Sequence, residues 1–146
     1  MESLSREYAS DVRQLGVLRD FVRAALLRAW GDDQADADAI GLLILALDEA
    51  ATNIVLHAYE RRGGERIRLQ VEADADTVRL SLFHRGRHFD PDAAPPPSFD
   101  GTRESGFGLH LIRQSVDEVE YARDEQGGCV IRLTKRRRPA PKEVVT

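Results

Sequence analysis

The amino-acid sequence predicts an α+β fold, with helices covering one face of a mostly antiparallel sheet, and three observations lead there. Apolar residues recur with a helical period through the N-terminal part, and that period drops to two after Gly63-Gly64. A stretch rich in Gly, Pro, Asp and Ser then separates this half from a further helix and two more strands. The order is helix, helix, strand, strand, loop, helix, strand, strand. Each amphipathic element must bury its apolar side on another, and this order does so as a two-layer sandwich.

The first helix is predicted from Ala9 to Trp30. Val12, Leu15, Leu18, Val22, Leu26 and Ala29 step by threes and fours until Gly31 stops them. After Gly31-Asp32-Asp33 a longer helix places Ile40, Leu43, Ile44, Leu47, Ala51, Ile54, Val55 and Ala58 on one face, and it ends before Arg62-Gly63-Gly64. Ile67, Leu69 and Val71, and then Val78, Leu80 and Leu82, alternate with polar residues around Ala73-Asp74-Ala75-Asp76, which is the pattern of an antiparallel hairpin. From Arg85 to Ser105 the composition, with Pro95-Pro96-Pro97, excludes helix and central strand; a connection of that length is usually a lid or a binding loop. A third helix starts at Gly106 and carries Leu109, Ile112 and Val116, and strands follow at Val119–Arg123 and Cys129–Lys135 around Gly127-Gly128. Residues 1–138 are expected to form a single domain, and 139–146 a flexible C-terminal tail.

Composition removes several classes of function. A length of 146 residues with 42% apolar content can bury a core but is too short for a separate substrate domain. With 25 acidic against 21 basic side chains and a net charge of −4, the chain lacks the basic surplus of a direct nucleic-acid binder. Cys129, the single cysteine, cannot form an internal disulfide, and the N-terminus lacks the basic and apolar regions of a signal peptide. The longest purely apolar run, Gly41 to Leu47, is far shorter than the ~20 residues of a membrane span. The expectation is a cytoplasmic protein without membrane association.

Three segments carry candidate chemistry. On the second helix Leu42, Leu45 and Leu56 form a second apolar stripe, with Glu49 among them in angle and Asn53 and His57 on successive turns. A carboxylate withdrawn among leucines is a stronger proton acceptor, and an Asn oxygen one turn on suits a hard cation such as Mg²⁺. Ser105-Gly106-Phe107-Gly108 meets the start of the third helix, where glycines let backbone N–H groups approach an anion and the helix dipole favours phosphate. His84-Arg85-Gly86-Arg87-His88-Phe89-Asp90-Pro91 leaves the second strand; Gly86 permits close approach to a flat ligand and Phe89 can anchor the loop. His84 and His88 lack a third ligand at a convincing spacing for a metal site. Two further features read as structural. Lys135-Arg136-Arg137-Arg138 is a solvated strand end, and Cys129 is a small core residue.

Taken in order, Leu45-Ala-Leu-Asp-Glu49-Ala-Ala-Thr-Asn53-Ile-Val-Leu-His57-Ala-Tyr59, then His84-x-Gly86-x-x-Phe89-Asp90-Pro91, then Ser105-Gly106-Phe107-Gly108-Leu109-x-Leu111-Ile112 resemble the N, G1 and G2 boxes of the GHKL ATPase superfamily. The resemblance spans Val12 to Arg136 and is strongest to the anti-sigma-factor serine kinases of bacterial partner-switching systems. It implies the Bergerat ATP-binding sandwich and, as cofactors, ATP or ADP with Mg²⁺. Glu49 would be the general base acting on a serine hydroxyl of a protein substrate, and Asn53 would hold Mg²⁺. Nucleotide contacts would come from Asn53, His57, His84, Gly86, Phe89, Thr102, Ser105, Gly106, Phe107, Gly108 and Leu109, with 93–105 as the lid. The implied partners are a STAS-domain antagonist, a sigma factor or equivalent target, and a second copy of the chain as a homodimer.

One residue departs from the pattern. The family carries an aspartate at the start of the G1 box, accepting a hydrogen bond from the adenine amino group, and this chain has His84. A neutral imidazole has one acceptor nitrogen and no charge. Two readings therefore stand side by side: a serine-protein kinase with anti-sigma activity, and a non-catalytic partner-switch binding protein with a degenerate nucleotide site. A sensor histidine kinase would need a phospho-acceptor helix pair for which this length has no room.

Overall fold

The computed structural model describes residues 2–60, 65–87 and 107–137. Its sheet has five strands, β1 (Glu2–Ala9), β2 (Arg66–Ala73), β3 (Thr77–His84), β4 (Glu118–Arg123) and β5 (Cys129–Arg136), in the order β1-β2-β3-β5-β4. Every neighbouring pair is antiparallel. The helices α1 (Leu15–Trp30), α2 (Gln34–Asn53) and α3 (Phe107–Ser115) complete the α+β sandwich.

The register explains why one face of the sheet is apolar. Leu69 pairs with Leu82 and Val71 with Leu80, while Leu80 and Leu82 pair in turn with Leu133 and Ile131. These rows are buried under Leu18, Val22 and Leu26 of α1, Ile40, Leu43, Ile44 and Leu47 of α2, and Ile112 of α3. The alternate positions Gln70, Glu72, Arg79, Ser81, Arg132 and Thr134 line a polar trough on the other face. Side-chain alternation along a strand, with one face packed and one polar, is what the period-two pattern encodes.

The N-terminus corrects the predicted first helix. Residues 2–9 form the edge strand β1, in which Tyr8 is buried and residues 2–7 are exposed. Asp11 then accepts from the Arg13 N–H at 2.9 Å, capping a short 3-10 turn over Val12–Gln14, and α1 starts at Leu15 rather than Ala9. With polar residues on both sides, the strand carries almost no apolar alternation to read.

The predicted face of α2 is buried from Ile40 to Val55. Its helical run, Gln34–Ala58, is 25 residues long and apolar enough by length and composition to cross a membrane. Here it serves as the core helix, packed against α1 and α3. The expected solvated end at Lys135-Arg136-Arg137 is also corrected. Arg137 donates to both oxygens of the buried Asp36 at 2.9 and 3.0 Å and to the Trp30 carbonyl at 2.6 Å, clamping the end of β5 to the α1–α2 junction. Arg138 and 139–146 lie outside the described residues.

Candidate functional site

α2 does not end in an ordinary cap. After Asn53 the chain widens into a π turn over Ile54–Ala58, in which the Tyr59 N–H donates to the Ile54 carbonyl at 2.9 Å. Such turns insert one residue and recur at functional sites. Glu49 and Asn53, one helical turn apart, are half-buried just before it. Leu42 and Leu45 are exposed, at 41% and 40%, so the second leucine stripe does not enclose Glu49. Asp48 is engaged separately, in an ion pair with Arg19 of α1.

The start of α3 lies directly over this pair. A Cβ placed on Gly108 would be 3.1 Å from Glu49 Oε2, 3.3 Å from Asn53 Nδ2 and 3.7 Å from Asn53 Oδ1. A side chain here would crowd the ends of Glu49 and Asn53, so the first turn of α3 meets the carboxylate and the amide through bare backbone. Free N–H groups at the start of a helix, with the positive end of its dipole, suit an anion at the same point. Leu109, the next residue, turns inward and is buried. Phe107 opens the helix.

The third segment closes on the π turn from the other side. His84 ends β3, is 4% exposed and stands edge-on to Tyr59, with ring centroids 5.9 Å apart. The Gly86 N–H donates to His84 Nδ1 at 3.2 Å, and the Arg87 N–H donates to the Ala58 carbonyl at 2.8 Å. A Cβ on Gly86 would lie 2.5 Å from the Ala58 oxygen, so glycine is the residue that can pass here. Tyr59 ties the arrangement together: its hydroxyl donates to the Arg66 carbonyl and accepts from the Arg85 N–H, both at 2.7 Å. Burial, above all, raises the Tyr59 pKa. Burial likewise raises that of the Cys129 thiol, which sits 3.8 Å from the Gly86 carbonyl, and a small inert core residue is what Cys129 is.

The structure thus brings Glu49, Asn53 and Gly108 together and places His84 and Gly86 against the same π turn. His57 is exposed on that turn. Phe89, Thr102, Ser105 and Gly106, the candidate lid 93–105 and His88 lie outside the described residues. The sequence places Ala58 on the apolar helix face and Tyr59 at the end of the N-box motif, but does not show their hydrogen bonds to the Arg87 and Arg85 amides. Among the described residues no cluster of three or more His, Cys, Asp or Glu could hold a metal ion. The Asn53 side-chain oxygen is a hard donor of the kind Mg²⁺ takes, and that ion is usually held by few protein ligands plus substrate.

Known proteins share the sequence family and the fold. The model of the histidine kinase-like ATPase domain matches residues 8–135. A serine-protein kinase RsbW of Staphylococcus aureus (strain MRSA252) is 31% identical over 140 residues, covering 90% of this chain and 80% of its own. Another, from Oceanobacillus iheyensis, is 30% identical over 106 residues, 67% of this chain and 66% of its own. Among solved structures, the RsbU and RsbW domains of a Mycobacterium tuberculosis protein superpose with a TM-score of 0.64 at 22% identity, covering 93% of this chain and 32% of that one. The histidine kinase domain of a blue-light activated kinase from Erythrobacter litoralis superposes at 0.50 and 20% identity, over 85% of this chain and 59% of that one, and both share the fold. Related over nine-tenths of its length to serine-protein kinases, the chain belongs to the histidine kinase-like ATPase family.

Proposed function

We propose that this chain is a protein serine kinase and anti-sigma factor of a partner-switching module, acting in the cytoplasm. It phosphorylates a serine of a STAS-type antagonist and, when that antagonist is absent, holds a sigma factor or an equivalent target. The observation that carries this reading is that the ends of Glu49 and Asn53 lie 3.1–3.7 Å from where a Cβ on Gly108 would stand, so carboxylate, amide and helix start meet at one point. The relatives named serine-protein kinase RsbW support it.

In this reading Glu49 takes the proton of the attacking serine hydroxyl, whose oxygen forms the new bond to the γ-phosphorus as the nucleoside diphosphate leaves. Asn53 offers its oxygen to Mg²⁺, which would neutralise charge on the phosphates. The backbone N–H groups at the start of α3 orient the phosphate chain, and Gly86 lies under the base. Phosphoryl transfer asks little covalent work of a protein, so positioning and charge do most of it. ATP is the donor that family membership implies.

A second reading, a non-catalytic binding module, is favoured by one observation. The single acceptor nitrogen of His84 is already engaged by the Gly86 N–H. Phosphoryl transfer to the cognate antagonist separates the two. Glu49→Ala should lower it at least about a hundredfold while leaving thermal unfolding in place. If calorimetry finds no nucleoside triphosphate or diphosphate bound at millimolar concentration, the kinase reading fails and the module stands.

A further inference from the structure

The outer line of α2 is apolar right up to Glu49. At about 100° per residue, Leu42 and Leu45 point to either side of the Glu49 direction and within about 60° of each other. Both are exposed, while Leu43, Ile44, Ala46 and Leu47 around them are buried. The charges that border the line are answered inside the chain: Asp38 accepts from Gln34 Nε2 at 2.9 Å, and Asp48 is paired with Arg19. Gly41, beside the leucines, is exposed, and a Cβ there would meet nothing within 4 Å. Glycine weakens a helix interior relative to alanine, and here no close packing within the chain requires it. What it leaves is room for a neighbour from outside. An exposed leucine alone is ordinary, but two of them aligned with a candidate base and set beside an open glycine form a strip with a direction.

We propose that Gly41, Leu42 and Leu45 are the docking strip for the protein substrate, and that this substrate carries apolar side chains about 6 and 10 Å from its phosphoacceptor serine. This rests on the kinase reading proposed above, in which Glu49 takes the serine proton. A serine on another protein reaches Glu49 only when that protein's surface lies against the surface around the carboxylate. Among the described residues, the start of α3 stands on the Asn53 side and the Arg19–Asp48 pair on the α1 side. The direction left is back along α2, over Leu45 and Leu42. These lie four and seven residues before Glu49, and a rise of about 1.5 Å per residue sets the two spacings. Apolar groups of the substrate would cover the leucines, and a charged group at either spacing would be stranded on them, so the strip selects as well as binds. The leucines touch no reacting atom. Their contribution is the same before and during transfer, and it shows in KM for the protein substrate and not in kcat.

The test is steady-state phosphoryl transfer from Mg·ATP to a STAS-domain antagonist that wild type phosphorylates, beside calorimetric titration with Mg·ATP and a thermal melt of each full-length variant. Replacing both leucines, Leu42→Gln with Leu45→Gln, should raise KM for the antagonist about tenfold or more, with kcat and the Mg·ATP dissociation constant unchanged. Gly41→Gln should raise KM as well while melting at or above the wild-type temperature, because its side chain fills open space and favours the helix. A purely structural glycine would show the opposite sign in the melt. An unchanged KM in the double leucine variant overturns the inference. So does a weakened Mg·ATP affinity at unchanged KM, which would assign the leucines to the chain's own segment 93–105, and so does a dimer that sediments as a monomer, which would assign them to a second copy. If wild type binds Mg·ATP but transfers phosphate to no STAS-domain protein, the kinase reading itself fails and takes the inference with it.

Discussion

Two glycines do different work at the site. At Gly86 an added methyl would meet the Ala58 carbonyl at 2.5 Å, and backbone cannot yield as a side chain can. Gly86→Ala should therefore destabilise the fold, by about 1–3 kcal/mol on the scale of overpacked sites, read from a lowered denaturant midpoint at unchanged slope. At Gly108 the same methyl would meet the ends of Glu49 and Asn53 at 3.1 and 3.3 Å, groups that can rotate aside. Gly108→Ala should leave the midpoint within about 0.5 kcal/mol and weaken nucleotide binding instead, since the displaced groups are the ones that would hold it. A Gly108→Ala protein that unfolds early but binds normally would contradict this assignment. Both glycines could be singled out from sequence, but the reason each is needed could not. Ala58 and Gly86 are far apart along the chain, and only the fold makes them neighbours.

At the scale of elements, the hydrophobic period gave the second helix and both hairpins to within a few residues, and the first helix apart from its start. It failed at β1, where Ser3, Ser5 and Glu7 face one side while Leu4 and Arg6 on the other remain exposed and only Tyr8 is buried. An edge strand bonded on one side needs little apolar content, and so leaves little trace in composition. Each of three packed elements carries a tyrosine whose phenol is held neutral by burial. Tyr8 on β1 and Tyr59 beyond α2 have raised pKa values, and Tyr121 on β4 is pushed up to about 12. The sign follows directly. A folded pKa above the unfolded value of 10.0 makes the stabilisation complete below pH 10, with progressive loss as pH rises towards 12. Alkaline titration of the melting temperature should show that loss, and Tyr121→Phe should remove the Tyr121 share of it. A variant whose alkaline profile matched wild type would show that Tyr121 ionises freely in the folded chain.

At the scale of the whole molecule, the C-terminal end of the sheet does more than its basic composition suggests. Asp36 is 1% exposed, and its carboxylate is answered by Arg137 from the far end of the sequence. Breaking such a pair by removing one member leaves a buried charge without its counterion. A chain ending after Arg138 should melt with the full-length protein, whereas one ending after Lys135 should melt about 5–10 °C lower. Equal melting of the two truncated chains would take the clamp out of the account of stability. The two-layer architecture was legible because its apolar faces are long and periodic. The clamp was not, because a basic run at a strand end has the same sequence whether it is solvated or paired.

The π turn after Asn53 also works as a dial. One residue on an α-helix corresponds to about 100° of rotation, and the wide turn absorbs one residue more than an α-helix would. That surplus sets the direction in which everything after it points. Ala58 presents its carbonyl to Arg87, and Tyr59 reaches β2 and the Arg85 amide at once. Deleting one residue from the turn, Leu56 for instance, would leave Glu49 and Asn53 where they are and swing Ala58 and Tyr59 about a quarter-turn away from Gly86. The Gly108 end and the Gly86 end of the candidate site are two halves of one seat, and the angle between them is set by a single extra residue.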